Sequence, residues 1–378
     1  MSRAAVRTAL LAAGVSLSLA TFTAAQPATA TRRVILGASG DVLFHTRVVD
    51  SALANGGFAH TFSGLRPIVS EEEIAFANLE TPLSTAHAPM RGDPPRLGAP
   101  PEAATAMHGA GIDVLSLANN HAWDQRVEGL VDTIAALDAA HIAHVGVGPS
   151  EDDAAGPIVV ERGGVRVAFV AFTVILQGHP GTRRPAVRVS MWDERRARAA
   201  LTRAREQADV VVASMHWGLG YRHDDRSEQR SRAAYLVEHG ADVVLGHGPH
   251  VLQRVERVPS PRGEALVVYS LGNLVSNQGY VYRQGRREPG VEVPLREPAT
   301  RDGVWLRVAV ELEGDRVSLG GVEAVPLWTH NNYWDQERRR ATRADIRVLP
   351  HAEVADVALR GERRSAIEAV LGTAVNLL

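Results

Sequence analysis

From Arg32 onward, short runs of β-branched and apolar residues alternate with segments whose apolar positions recur every three or four residues. The runs predict strands over 33–38, 74–78, 113–118, 208–215, 241–245 and 265–270. The helical spacing predicts helices over 101–109, 128–140, 193–207, 226–238 and 363–377. Segments 157–160 and 165–170, joined through Gly163-Gly164, read as a hairpin. Runs over 305–312 and 317–327, separated by Gly314-Asp315, read as a hairpin from a second, antiparallel sheet. The Pro- and Gly-rich stretch 84–99 and the Arg- and Pro-rich stretch 277–300 read as long surface loops, which often cover sites.

Strands alternating with helices argue for an α/β fold with stacked sheets. Residues 1–30 carry Arg3 and Arg7, an uncharged run from Thr8 to Ala25, and Ala28-Thr29-Ala30 after Pro27. That order is expected of a secretory signal, which places the remainder outside the cytoplasm after cleavage. An uncleaved anchor is the alternative reading of the same run. The motifs below fall within 33–275 and the last hairpin and helix within 303–378, so 31–378 is expected to be a single domain.

Composition narrows the chemistry. The chain has 378 residues, 15 His and no Cys, and its 41 basic side chains are all Arg against 43 acidic ones. Without Cys there are no disulfides, zinc ribbons, iron–sulfur clusters, thiol nucleophiles or acylated lipoprotein anchors. A formal charge of −2 lacks the bulk basicity of a nucleic-acid binder, so no nucleic-acid partner is expected. Any metal must be held by His, Asp, Glu or Asn.

Those residue types gather where strands end. Asp41 with His45, Asn78 with Glu80, Asn120 with His121 and Asp124, His216, and His247 with His250 each follow a different apolar run. In open α/β sheets the site lies beyond the carboxyl ends of the strands, where such side chains converge. Oxygen ligands mixed with imidazoles suit Mn, Fe or Zn, and a carboxylate such as Glu80 can bridge two ions. Each element has a plainer reading: Asp41 as a turn cap, Glu80 as a solvated strand exit, Asn120 in a left-handed turn, His216 packed in the core. Their shared position at strand ends favours a site. His60, His87, His108, His141, His144, His179, His239, His330 and His351 show no such pattern, and His223, beside Asp224 and Asp225, is ambiguous.

The ordered motifs Gly40-Asp41 through His45, Asn78-Leu79-Glu80, Ala118-Asn119-Asn120-His121 with Asp124, His216-Trp217-Gly218, Gly246-His247-Gly248-Pro249-His250 and Ser270-Leu271-Gly272-Asn273 resemble the CapA (PgsA-type) family, named for poly-γ-glutamate capsule synthesis. The order is also similar to that of calcineurin-like metallophosphoesterases. The resemblance implies a four-layer α/β/β/α sandwich of the metallophosphoesterase type, with two stacked mixed sheets flanked by helices. It implies two divalent ions held by Asp41, His45, Glu80, Asn120, His216, His247 and His250. His121, oriented by Asp124, would face the substrate, with Ser270 and Asn273 at the rim and Asn78 close by. Arg222 and Arg226, at helical spacing after the His216 motif, are candidates to pair with an anionic substrate.

Three functions follow as expectations. The first is a secreted dinuclear-metal hydrolase or transferase acting on an anionic polymer or ester. The second is a non-catalytic accessory that binds polyglutamate during synthesis or export alongside membrane-bound capsule proteins. The third is a metal-dependent phosphodiesterase or nucleotidase.

Overall fold

The computed structural model describes residues 31–70, 73–90, 94–286 and 290–378, and the signal reading of 1–30 lies outside them. Its main strands are β1 (Arg32–Val42), β2 (Glu73–Leu79), β3 (Val114–Ser116), β4 (Ala143–Val145), β5 (Ile158–Arg162), β6 (Val165–Thr173) and β7 (Val210–His216). After these come β8 (Val243–His247), β9 (Val255–Ser260), β10 (Gly263–Val268), β11 (Asn273–Val275), β12 (Asp302–Glu313), β13 (Arg316–Asn331) and β14 (Ile346–Pro350). The longer helices are α1 (Thr46–Ala54), α2 (Glu102–Gly109), α3 (Arg126–Ala139), α4 (Glu194–Gln207), α5 (Ser227–Glu238) and α6 (Val357–Leu371).

Pairing sorts the strands into two mixed sheets. One runs β4-β3-β2-β1-β12-β13, with β14 on β13 and β11 against the end of β1. The other runs β5-β6-β7-β8-β10-β9. Their ladders meet through a single residue pair, Gly263 with Val317.

Side-chain alternation stacks the two sheets. Along β6, Val165, Val167, Phe169 and Ala171 join the core shared with the first sheet, while Ala168, Val170 and Phe172 face the other way. At the seam, Phe76 of β2 stacks on Phe169 of β6 with centroids 5.7 Å apart and planes 2° from parallel. The void among Leu36, Phe76, Leu306, Phe169, Val212 and Leu245 is only about 10 Å³, so the sheets are closely packed. Ala197, Ala200, Leu201 and Ala204, one helical stripe of α4, cover the outward residues Val170, Phe172 and Val211. Met107 of α2 with Leu130 and Leu137 of α3 belongs to the core of the first sheet. The outcome is the mixed α/β, four-layer sandwich that the resemblance implies.

Alternation also aims the polar strand ends into the seam. In β2 the row that begins with Phe76 continues to Asn78 and then to Glu80, just past the strand. In β7 the row from Val212 ends at His216, and in β8 the row from Leu245 ends at His247, which pairs directly with His216. Asp41 is out of phase with Leu36 and Ala38. A register shift between Ala38 and Asp41 inserts one extra residue opposite β2 and turns Asp41 inward. Gly40 is required there, because a Cβ would lie 1.9 Å from the carbonyl oxygen of Gly272.

Some elements differ from the sequence expectation. The first strand does not end near residue 38; it runs on to Val42, because the polar Ser39, Gly40 and Asp41 are enclosed by β2 and the Gly272 turn. The late hairpin is not part of a separate antiparallel sheet, since β12 pairs with β1 from Arg32–Leu312 to Ala38–Leu306. The last helix starts at Val357 behind an Asp356 cap and stops before Gly372, whose φ of 74° breaks it.

Candidate metal centre

Asp41, Glu80 and His216 are buried, and their ligand-type atoms lie within 4.8 Å of one another. Around Glu80 Oε1 stand three imidazole nitrogens: His216 Nε2 at 3.8 Å, His250 Nε2 at 3.8 Å and His121 Nε2 at 4.0 Å. His247 Nδ1 lies 3.6 Å from Asp41 Oδ1. These separations are too long for hydrogen bonds.

Neighbours hold the cluster in place. Asn78 Nδ2 donates to Asp41 Oδ1 at 2.8 Å, and the Gly248 N–H donates to Asp41 Oδ2 at 3.2 Å. His250 Nδ1 faces Asp41 Oδ2 and Asn273 Oδ1, both at 3.1 Å. A proton on Nδ1 serves those oxygens and leaves Nε2, the atom facing Glu80, as a lone pair. His250 takes a φ of 60°, strain imposed by the Gly248-Pro249 turn. His121 repeats the arrangement, with Nδ1 2.7 Å from Asp124 Oδ2 and Nε2 toward Glu80. Asp124 Oδ2 also accepts the Leu97 N–H at 2.6 Å, tying Leu97 to this histidine.

The electrostatics are those of a cluster short of a cation. Burial, then the Asp41 charge, push the Glu80 carboxyl well above its usual range. Burial acts the same way on Asp41, yet the His250 hydrogen bond and the charges of His250, His247 and His216 outweigh it and hold that carboxyl well below normal. Burial lowers His45 and His216 to about 3 and His247 to about 4, so these rings are neutral near pH 7. Both oxygens of Glu80, both nitrogens of His247 and Oδ1 of Asn120 are buried without a hydrogen-bond partner. Leaving a buried carboxylate unmatched costs several kcal/mol, and a divalent cation is the group whose charge and valence fit this mixed N/O set.

The other expected residues sort by contact. Asn78, His121, Asp124, His247, His250 and Asn273 lie at or against the cluster, while Asn120, next to His121 in the chain, has its Oδ1 buried without a hydrogen-bond partner. His45 sits within electrostatic reach of His121 and His250, and its Nδ1 accepts the Asn277 N–H at 3.3 Å. Ser270 is not on a rim: it is fully buried, and its hydroxyl accepts the Gly272 N–H at 3.2 Å. Arg222 and Arg226 do not form a helical face, because α5 begins only at Ser227. Arg222 pairs with Asp224 on side chains 60% and 63% exposed, and Arg226 lies 3.8 Å from Glu228. His223 is turned to the Leu252 carbonyl at 2.7 Å.

Sequence reasoning passed over several residues that matter here. Asn119 donates to the Leu79 carbonyl at 2.8 Å and to Asn78 Oδ1 at 3.3 Å, fixing the amide that holds Asp41. Tyr221 lies 5.9 Å from the His250 ring and its hydroxyl accepts from Gln278 Nε2 at 3.3 Å. Asn277 follows β11 by two positions, and only the pairing of β11 with β1 places it beside His45.

Residues 35–278 match the family model described as bacterial capsule synthesis protein PGA_cap. The chain belongs to this capsule synthesis family. It is 30% identical over 250 residues to the "PGA biosynthesis protein CapA" of Bacillus subtilis, covering 65% of this chain and 64% of that one. It is 31% identical over 248 residues to the "Capsule biosynthesis protein CapA" of Bacillus anthracis, covering 64% of this chain and 59% of that one. The family member described here thus spans less than two thirds of the length of these relatives. Among solved structures, a calcineurin-like phosphoesterase, YfkN from Bacillus subtilis, is 12% identical, covering 79% of this chain and 91% of that one, with a TM-score of 0.45. No helix among the described residues is long and apolar enough to cross a membrane.

Proposed function

We propose that this capsule-family chain is an extracytoplasmic, metal-dependent hydrolase or transferase acting on an anionic polymer or ester of the polyglutamate type. The observation that carries the reading is Glu80: a fully buried carboxylate with both oxygens unpartnered and three imidazole nitrogens at 3.8–4.0 Å. Asp41, Glu80, Asn120, His216, His247 and His250 would hold two divalent ions, Mn, Fe or Zn. When bound, such ions stabilise developing negative charge and acidify a water.

The remaining work falls to protein groups. Asp124 holds the His121 ring so that Nε2 faces the centre, where it takes or returns a proton. Asn78 and the Gly248 N–H keep Asp41 oriented. The hydrophobic seam below, led by Phe76, excludes water from that side; its ring lies 5.8 Å from His247. Plasma mass spectrometry run in parallel with assays on poly-γ-glutamate and an aryl phosphate ester tests the proposal. Stoichiometric metal, lost together with turnover in Glu80→Ala, is the expected result. A Glu80→Ala chain that keeps both sinks the reading.

A second reading has one observation in its favour. The chain is 29% identical over 182 residues to a "Probable polyglutamine synthesis accessory protein" of Mycobacterium tuberculosis. As an accessory, the protein would bind nascent polymer without cleaving it, with membrane-bound capsule proteins as partners. Polymer binding that survives both metal removal and His121→Ala favours this reading over the first.

A further inference from the structure

Within the Pro- and Gly-rich stretch 84–99, Leu97 is held through both of its backbone polar groups by two side chains that are neighbours in the chain. Its N–H donates to Asp124 Oδ2 at 2.6 Å, and its carbonyl accepts from Gln125 Nε2 at 2.8 Å. Gln125 is fully buried, and its Oε1 accepts the His87 N–H at 2.7 Å. One amide thus joins two arms of the stretch. The arms pair again farther along, where Met90 and Arg96 exchange backbone hydrogen bonds of 2.9 and 3.0 Å and Arg96 Nε donates to the Ala88 carbonyl at 3.0 Å.

The surroundings are fitted to this side chain. A Cβ on Gly129 would lie 2.0 Å from Gln125 Cβ, so the start of α3 leaves room for Gln125. The turn that carries Asp124 and Gln125 ends at Arg126, whose φ of 56° is a strained, left-handed value for an arginine. Glutamine is also the residue type the place demands, because one arm presents an N–H and the other a carbonyl. A glutamate could serve the first and not the second.

His121 feels this through Asp124. The oxygen that takes the Leu97 N–H is the one 2.7 Å from His121 Nδ1. A carboxylate oxygen has two in-plane lone pairs, so a donor fixed on one sets the rotation of the carboxylate and the direction of the other. The Leu97 N–H decides where Asp124 aims its remaining lone pair, and Gln125 decides where that N–H points. We propose that Gln125 is a positioning residue for His121, acting through Leu97 and Asp124 to hold the imidazole with Nε2 toward the centre. The role rests on the metal-dependent reading above, in which His121 moves the proton.

The His121 ring proton reports the role directly, by proton NMR of the full chain supplied with zinc, its signal assigned by loss in His121→Gln. Gln125→Met keeps the volume and loses both hydrogen bonds; Gln125→Glu keeps the bond from His87 and loses the one to Leu97. In both, the Nδ1 proton of His121 should exchange with solvent about tenfold faster, while that of His250, held by Asp41 and Asn273, keeps its rate. Thr133→Val removes the hydroxyl that accepts the Leu83 N–H, loosening the chain just before the stretch, and should leave both signals unchanged. On the aryl phosphate ester, Gln125→Met should lower kcat about tenfold with KM and metal content unchanged. The role is overturned by a His121 signal absent from the unaltered chain, by exchange indifferent to both Gln125 substitutions, or by acceleration matched at His250 or in Thr133→Val. An unchanged kcat overturns it as well. Protection of His121 that depends on Gln125 in a chain that takes up no zinc defeats the metal-centre reading and leaves the positioning role standing.

Discussion

Glu73 and Glu80 stand at the two ends of the same buried strand, and the protein treats them in opposite ways. Glu73 receives Trp305 Nε1 at 2.9 Å on one oxygen and Arg307 Nε at 2.5 Å on the other. Glu80, equally buried, receives no hydrogen bond on either oxygen and faces the rings of His121, His216 and His250 together with the Asp41 carboxylate. Both carboxylates meet the same low-dielectric surroundings, so burial alone does not separate structure from site. The difference lies in whether the chain supplies the matching charge itself. At Glu73 it does, and the result is a pin between β2 and β12. At Glu80 it does not, which is what the proposed metal centre requires.

The contrast can be broken at either end. Glu80→Gln should remove metal and abolish turnover on any substrate the chain accepts, while the metal-free protein becomes no less stable; mass spectrometry and a thermal melt check both halves. Glu73→Gln should do the converse, costing about 3 kcal/mol because Arg307 loses its buried partner, with metal content per folded chain unchanged. His121→Gln should reduce turnover about 10²-fold or more with full metal occupancy, as expected for loss of a proton-transfer group.

A smaller effect lies in pH dependence. His216 and His247, near 3 and 4 when folded against 6.5 when unfolded, bind fewer protons in the native chain. Stability of the metal-free protein should therefore rise with pH through that window and fall as acid is added. Glu80, displaced upward, gives the opposite slope above 4.5, so Glu80→Gln should keep stability from declining there. Urea titrations across pH 4 to about 8 measure both slopes. The smallest effect is expected at Arg222→Gln, where an exposed pair with Asp224 is lost and the melt should not move.

Much of this was legible in the sequence because the reporting residues fall at ends of apolar runs. His216 and His247 were read as ends of apolar runs, and the structure shows that they continue the inward row of their own strands. Asp41 was legible as chemistry but not as geometry, since the register shift that turns it inward leaves no mark in composition. Arg222 misled because helical spacing was read through a residue where the chain is still loop. Ser270 misled differently: a serine beside a glycine turn serves the backbone as readily as a ligand. Asn277 and Tyr333 carried no local signal, for the contacts of Asn277 with His45 and of Tyr333 with Arg47 join residues more than 200 apart in sequence.

The cluster brings Asp41 and Glu80 from the strand ends of one sheet against His216, His247 and His250 from those of the other, yet those sheets share a single ladder pair. The spacing between the two donor groups is therefore set by the thickness of the side chains between them, Phe76 on Phe169 foremost. The cluster works as a caliper whose opening is fixed by core volume. A slimmer or bulkier side chain at Phe169 would change donor separation, and with it the choice of ion, without altering a single ligand.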